Sequence, residues 1–381
     1  MKSLRILFAL YFLLSVSCDE GYIDDISAVD PGDDTAAPTI TITSPPSGNL
    51  FIPFTETSSD INISLSVSDD IELSSVTATL DGNQVANVSE FVDFRNISIS
   101  TIIENLSVGN YTLSVSASDL SGKSSEVDVS FTVTNEYIPA EGEIFYMPFE
   151  EESFTDIISD TEGEGFGNPE FVDGVFGDAL ELDAANQGYV TFPATPEITS
   201  LESFTLSFWT RVDFVDEDDN GGIDGVLGFV SLSNSNGFWG NINTYMENGS
   251  NPSDGADMRV QVTNMGTGAF LTDVTDQLSI FNNWSHHVIV YDNASKSIIY
   301  YINGEEKSTL VVSWDDNFAF IDAEKIIIGC LQFQTIPSST TATGAQGWAS
   351  YLTGEIDEIK IFDRVLSPSL ITDLFNANNP N

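Results

Sequence analysis

SFTLSFWTRV (203–212) and NNWSHHVIVYDNASKSIIYYINGEE (282–306) alternate apolar with polar or small residues. A strand turns successive side chains to opposite faces, so Phe204, Leu206 and Phe208 share one face. Ile298, Tyr300 and Ile302 do the same on a later strand. Asn303-Gly304 supplies the positive φ that a two-residue hairpin turn demands. Strands with one apolar face and tight turns predict a sheet packed on a core. Towards the end, Leu366, Ile371 and Leu374 fall near helical spacing around Ser367-Pro368, which predicts a short terminal helix.

Working outward, the same pattern continues from Glu143 to about Ala377. In order come FYMPFEEE (145–152), GVFGDALELDAANQGYVTFP (174–193), the two stretches above, IIIGC (326–330) and YLTGEIDEIKIFDRVLSPSLITDLF (351–375). These blocks resemble a LamG-type, concanavalin A-like jelly roll over 143–377. The resemblance implies a β-sandwich, and that fold hosts lectins, hydrolases and adhesion modules alike. Upstream, 38–135 holds roughly seven short alternating runs, among them TITITS (39–44), INISLSVS (61–68) and YTLSVSASD (111–119). Seven such runs predict an immunoglobulin-like sandwich, and the segment resembles bacterial Ig-like spacer modules. EYIPAEG (136–142) links the two. The expected class is all-β: an Ig-like sandwich followed by a jelly roll.

The first 17 residues carry Lys2 and Arg5, then the apolar run Leu7 to Leu14, which is too short to span a bilayer. With Cys18 they resemble a bacterial lipoprotein signal peptide, which implies that Cys18 bears the lipid. Residues 18–37 are acidic and aperiodic, a flexible tether. An acidic stretch after the lipidated cysteine resembles the surface-export signal of Bacteroidota lipoproteins. The resemblance implies a lipid anchor on the outer-membrane surface and work beside a TonB-dependent glycan importer. No later segment reaches about 18 consecutive apolar residues, so none is expected to cross a membrane.

The 381 residues carry 11 Lys+Arg against 59 Asp+Glu, a formal charge of −48. That balance argues against nucleic acid and anionic lipid as partners, because both are held by basic residues. A neutral polysaccharide or oligosaccharide suits it better. Cys18 and Cys330 are not expected to pair, and Cys330, in an apolar strand, reads as a small buried hydrophobe.

Sugar rings present an apolar C–H face, so a binding site combines aromatic rings with hydrogen-bonding side chains. GFWGNINTYMENGSN (237–251) has that mixture in Trp239, Asn241, Asn243 and Tyr245. Arg259 and Gln261 alternate on a later strand and can share its face. Trp314 and Trp348 stand beside polar loops and complete the set. Trp209 and Trp284 read as packing.

Residues 216–227, DEDDNGGIDGVL, place Asp216, Asp218, Asn220, Gly222 and Asp224 as an EF-hand loop places its calcium ligands. Position twelve is Leu227 rather than Glu, so this is either a calcium loop on a sandwich or a solvated acidic loop. EIDEIK (355–360) resembles the Glu-x-Asp-x-(x)-Glu strand of laminarinase-type hydrolases, but the third acid falls on Ile359 or Lys360. No catalytic residue is assigned. In related jelly rolls the acid of this strand binds calcium with an acid near the first strand, which implies Asp357 and Glu150. The alternative is that Asp357 hydrogen-bonds the backbone. His286 and His287 are adjacent on a strand, point to opposite faces, and read as structural. The function expected is non-catalytic carbohydrate binding. The rivals are a surface adhesin and a glycoside hydrolase or lyase with an unrecognised site.

Overall fold

A computed structural model describes residues 32–217, 219, 221–275, 280–314 and 318–377. The signal peptide, Cys18 and most of the tether lie outside the described residues, as do Asp218 and Asn220. The chain forms two compact units that divide between Glu136 and Tyr137.

The first unit has eight strands: β1 (Thr39–Ser44), β2 (Gly48–Phe51), β3 (Ser58–Ser68), β4 (Leu73–Leu80), β5 (Asn83–Val88), β6 (Asn96–Ser107), β7 (Gly109–Asp119) and β8 (Ser124–Thr134). One sheet runs β1-β3-β6 and the other β2-β8-β7-β4-β5. Alternation decides which side meets the core: Ile61, Ile63, Leu65 and Val67 of β3 are buried, with polar residues between them turned outward. The last tether residues lie against this unit, where Lys123 Nζ holds Asp34 Oδ1 at 2.7 Å.

Among the described residues the second unit has eighteen strands. In chain order they are β9 (Glu143–Met147), β10 (Thr155–Asp156), β11 (Thr161–Glu162), β12 (Glu164–Phe166), β13 (Glu170–Asp173), β14 (Asp178–Leu182), β15 (Tyr189–Pro193), β16 (Phe204–Val212) and β17 (Val226–Leu232). There follow β18 (Ile242–Met246), β19 (Ala256–Asn264), β20 (Thr267–Thr275), β21 (Ser285–Asp292), β22 (Ser297–Ile302), β23 (Glu305–Val311), β24 (Lys325–Ile328), β25 (Ala349–Ser350) and β26 (Gly354–Phe362). One sheet runs β12-β15-β24-β17-β18-β19-β20, with β25 beside β17; the other runs β13-β14-β26-β16-β21-β22-β23, with β9 beside β26. The two sheets face each other across one core, the jelly-roll arrangement.

Phe204, Leu206, Phe208, Ile298, Tyr300 and Ile302 all enter that core. The hairpin after β22 turns on Asn303 (φ 51°) and Gly304 (φ 76°). The terminal helix (Pro368–Ala377) covers the outer side of the second sheet, where Ile371 joins Val288, Val290 and Phe362. Trp209 therefore faces away from the main core yet is buried, in a three-ring cluster with His286 (4.9 Å) and Phe375 of the helix (5.7 Å). Phe208→Ala is expected to lower the unfolding free energy by about 3–5 kcal/mol, the usual cost of emptying an aromatic site in a core. Urea unfolding followed by Trp fluorescence reads this directly, because all five Trp lie in the second unit. A loss below about 1 kcal/mol would contradict the packing described.

Candidate functional site

The outer side of the first sheet carries the site. Register sets Asn243, Gln261 and Phe270 in one row across β18, β19 and β20, with Tyr245 and Arg259 in a neighbouring row. Their in-register neighbours Ile242, Met246, Met258, Val260, Val262 and Leu271 point the other way, into the core. The segment joining β17 to β18 lays Trp239 flat on Tyr245, with ring centroids 5.7 Å apart and planes 13° from parallel. Trp239 meets Phe270 (6.0 Å) and Phe333 (5.7 Å) edge to face, and Trp348 lies 6.0 Å away. Phe238, Phe270 and Trp348 are 38%, 45% and 43% exposed, so three rings of this cluster remain open to solvent. Beside them lies a cleft of about 460 Å³, lined by Asn234, Phe238, Trp239, Gln261, Phe270 and Asp322 among others.

Local chemistry explains why the 233–240 segment holds its shape. Asn234 Oδ1 accepts the backbone N–H groups of Asn236 (3.1 Å) and Gly237 (2.9 Å), a side-chain-closed turn. A Cβ at Gly240 would stand 2.5 Å from the Leu232 carbonyl, so the chain can pass there only as glycine. Gln332 reaches in from the segment after β24. Its Oε1 accepts from Asn234 N (2.7 Å), and its Nε2 donates to the carbonyls of Gly237 (2.8 Å) and Phe238 (3.0 Å). The rings are thus fixed in position before any ligand arrives.

The structure brings Trp239, Trp348 and Gln261 to this cluster and removes several other candidates from ligand contact. Asn241 is fully buried; its Nδ2 donates to the carbonyls of Ser233 (2.6 Å) and Ile321 (2.8 Å), and its Oδ1 accepts from Ile321 N (3.1 Å). Asn243 is likewise buried and bonded to Gly240 and Gln261. Both amides serve the loops, which carry backbone groups that must find partners. Tyr245 lies beneath Trp239, only 4% exposed, and burial pushes its phenol up to about 12. Arg259 pairs with Glu247 (3.2 Å) and Asp257 (3.1 Å). Trp314 stands elsewhere, against Tyr291 (5.6 Å) and Phe318 (5.9 Å) at the rim of the core. Sequence reasoning passed over Asn234, Phe238, Phe270, Asp322 and Gln332. Phe238 and Phe270 carried a signal, an aromatic beside Trp239 and an outward position on an alternating strand. Asn234, Asp322 and Gln332 carried none.

The acids of EIDEIK are engaged with protein groups. Glu355 forms a two-pronged ion pair with Arg211. Asp357 accepts backbone N–H groups from Val175 (2.9 Å), Phe176 (3.2 Å) and Glu358 (2.7 Å), which is the backbone-bonding alternative. Burial nonetheless holds its carboxyl well above the usual range. Glu358 sits at a bulge with φ 53°, accepts from Tyr146 Oη (2.5 Å) and pairs with Lys360 (3.2 Å). Glu150 packs on the same 174–178 turn as Asp357 and accepts from Asp178 N (3.3 Å). Its Oε1 is buried without a partner, and burial, reinforced by Asp178 and Glu358, raises the carboxyl to about 7.

In the acidic loop Asp216 Oδ2 accepts from Gly221 N (2.8 Å) and Asp224 Oδ2 from Glu217 N (2.5 Å). Gly222 is buried against Gly249. Among the described residues no three His, Cys, Asp or Glu side chains converge as a metal centre requires. Asp357 bonds backbone amides through both oxygens, the alternative to calcium, and Oδ1 accepts only one of the three bonds. His286 bonds Ser207 Oγ (2.8 Å), and His287 bonds Tyr300 Oη (2.8 Å) within the core.

Fold and site define a class: a two-sheet jelly roll presenting an open, aromatic-rimmed cleft on one sheet. Residues 184–372 match Laminin_G_3, the concanavalin A-like lectin/glucanases superfamily, so the second unit carries a domain of that kind. No curated protein matches the chain. Among solved structures, the binding domain of Paraclostridial Mosquitocidal Protein 1 is 18% identical, with TM-score 0.47, over 62% of this chain and 52% of that one. Domain 4 of AbnA, a GH43 extracellular arabinanase from Geobacillus stearothermophilus in complex with arabinotriose, is 18% identical, with TM-score 0.41, over 62% of this chain and 99% of that one. A structure of botulinum neurotoxin type C, whose cell entry depends on interaction with two ganglioside molecules, is 17% identical, with TM-score 0.46, over 62% and 51%. The chain thus spans about half the length of the mosquitocidal and botulinum structures.

Proposed function

We propose that this protein binds a neutral polysaccharide or oligosaccharide, without cleaving it, in the cleft bordered by Trp239 and Phe270. The observation that carries this reading is the fixed, partly exposed set of rings beside a polar-lined cleft of about 460 Å³. An aromatic wall accepts the apolar face of a sugar, and the polar lining orients its hydroxyls. None of the described residues lining the cleft is Lys, Arg or His, so a uronate or sulfate finds no counter-charge there. Each carboxylate of EIDEIK is bonded to protein groups, which leaves that strand no acid/base pair of the kind glycoside hydrolysis uses.

The sequence at 1–37 supports the cellular side of the proposal: acylation at Cys18, display on the outer-membrane surface, and delivery of glycan to a TonB-dependent importer. Calcium belongs to it only as a structural ion, of the 216–227 loop or of Asp357 with Glu150.

The test is affinity electrophoresis and calorimetry of the lipid-free chain from Asp19 with neutral and acidic glycans, with and without chelator, alongside an assay for released reducing ends. Saturable binding of a neutral glycan without product is expected. Product would replace the reading with a hydrolase, and silence across all glycans would favour the adhesin. No calcium heat, and no change in melting temperature with chelator, would remove calcium.

A further inference from the structure

We propose that the cleft reads its ligand through two carboxamide donors, Asn234 and Gln261, whose oxygens are locked inward so that their N–H groups alone face the glycan. The inference rests on the cleft being a glycan site and names the chemistry of recognition there: two acceptor oxygens on the sugar.

Both side chains line the cleft although their residues are only 3% and 2% exposed. Asn234 Oδ1 already holds two backbone N–H groups, those of Asn236 and Gly237. Flipping this amide would set its NH2 against those two donors, so Nδ2 must stay on the other side. Gln261 Oε1 accepts from Asn243 Nδ2 at 3.0 Å. Asn243 is itself locked, since its Oδ1 accepts from Gly240 N and its Nδ2 also donates to Gly240 O. The direction of the Gln261 amide is therefore set by a residue that does not touch the ligand.

Neither Asn234 Nδ2 nor Gln261 Nε2 has an acceptor among the described residues. Each lies beside a glycine: a Cβ at Gly237 would come 2.6 Å from Asn234 Nδ2, and one at Gly268 would come 2.6 Å from Gln261 Nε2. Glycine at both positions keeps the donors uncovered. Neither nitrogen is among the buried atoms left without a partner, so both reach the cleft, where a ligand oxygen can take the place of solvent. Thr263 Oγ1, also in the lining, donates to Gly240 O instead (3.1 Å). Asp322 supplies an acceptor for a sugar hydroxyl. Hydroxyl, ring and acetamido oxygens all satisfy the donor pair; the anionic groups of acidic glycans would sit against Asp322.

The experiment uses Asn234→Asp and Gln261→Glu in the lipid-free chain. Each substitution keeps the inward-bonding oxygen and puts an oxygen where the donor was. Calorimetry against arabinotriose, cellohexaose, xylohexaose and chitohexaose first finds the best neutral ligand of the wild-type chain. Each variant is expected to weaken that ligand about tenfold, and the double variant about a hundredfold, the scale of one and two lost hydrogen bonds with partners left unpaired. Gln261→Met, which removes the donor without adding charge, is expected to match Gln261→Glu. Because Asp serves the 234 turn as well as Asn does, Asn234→Asp decides the matter should both Gln261 variants unfold. Wild-type affinity in folded Asn234→Asp, or in folded Gln261→Glu and Gln261→Met, overturns the donor pair while leaving the cleft as the binding site. Binding that persists undiminished when Trp239 is removed overturns the cleft reading instead.

Discussion

Trp239→Ala is expected to weaken glycan binding by about a hundredfold, more than any other single change at the cleft. The indole contributes twice. It offers a ring to the sugar, worth on the order of 1.5 kcal/mol beyond area for an aromatic contact. It also spaces Phe270, Phe333 and Trp348, which meet it at 5.7–6.0 Å. Removing it lets those rings collapse over Tyr245 and closes the surface the ligand uses. The same change costs about 1–3 kcal/mol of stability, below the full Trp→Ala range because the ring is only half-buried. Trp314→Ala is the matched control: it packs on Tyr291 and Phe318, and nothing places it on the cleft. It is expected to lose comparable stability and keep the wild-type dissociation constant. Calorimetry and urea unfolding on both variants separate the two. Equal loss of binding in the two would mean that binding follows general stability rather than the Trp239 surface.

The fold was legible because its signals are local. Phe204, Leu206 and Phe208 alternate within five residues, and Asn303-Gly304 names its own turn. The cleft was legible only in part because its parts converge from distant segments. Trp239, Gln261 and Trp348 were recognisable as side chains a sugar uses. The amides that hold the site together look the same in sequence as amides that bind. Asn241 and Asn243 differ from Gln261 only in that nearby backbone groups consume them. Gln332 pins the 233–240 segment from nearly a hundred residues away, and no local pattern announces that. Asp357 meets the same difficulty: a carboxylate on a strand suggests a cation, but amides at Val175 and Phe176, some 180 residues upstream, reach it. Trp314 had a polar neighbourhood in sequence and an aromatic one in space.

Mild acid is expected to destabilise the second unit through His286 and His287. Burial holds both imidazoles down at about 3; the nearby His287 and Lys360 add to the effect at His286. In the unfolded chain each titrates near 6.5. The unfolded state therefore binds more protons in between, and stability falls as pH drops from about 6.5 towards 3. Above pH 6.5 this contribution is fully present. From pH 6.5 to 5, before most carboxylates titrate, the loss is about 2 kcal/mol for each imidazole. Glu150, held up at about 7, works the other way: protonation relieves its buried charge as pH falls. The side chain is only partly buried, so solvent screening limits that gain. A variant isolates one imidazole from this sum. His287 lies flat against Phe208 (5.3 Å) and near Phe229 (6.1 Å), so His287→Phe replaces it with a ring that suits those neighbours. At pH 7 the variant is expected to lose about 1–2 kcal/mol, because the bond between His287 and Tyr300 Oη is lost. By pH 5 the difference closes or reverses, since the variant has no buried imidazole to charge. Urea unfolding by Trp fluorescence at half-unit pH steps gives both curves. Parallel curves would show that the His287 environment does not resist protonation, and that the acid response of this unit arises from its carboxylates.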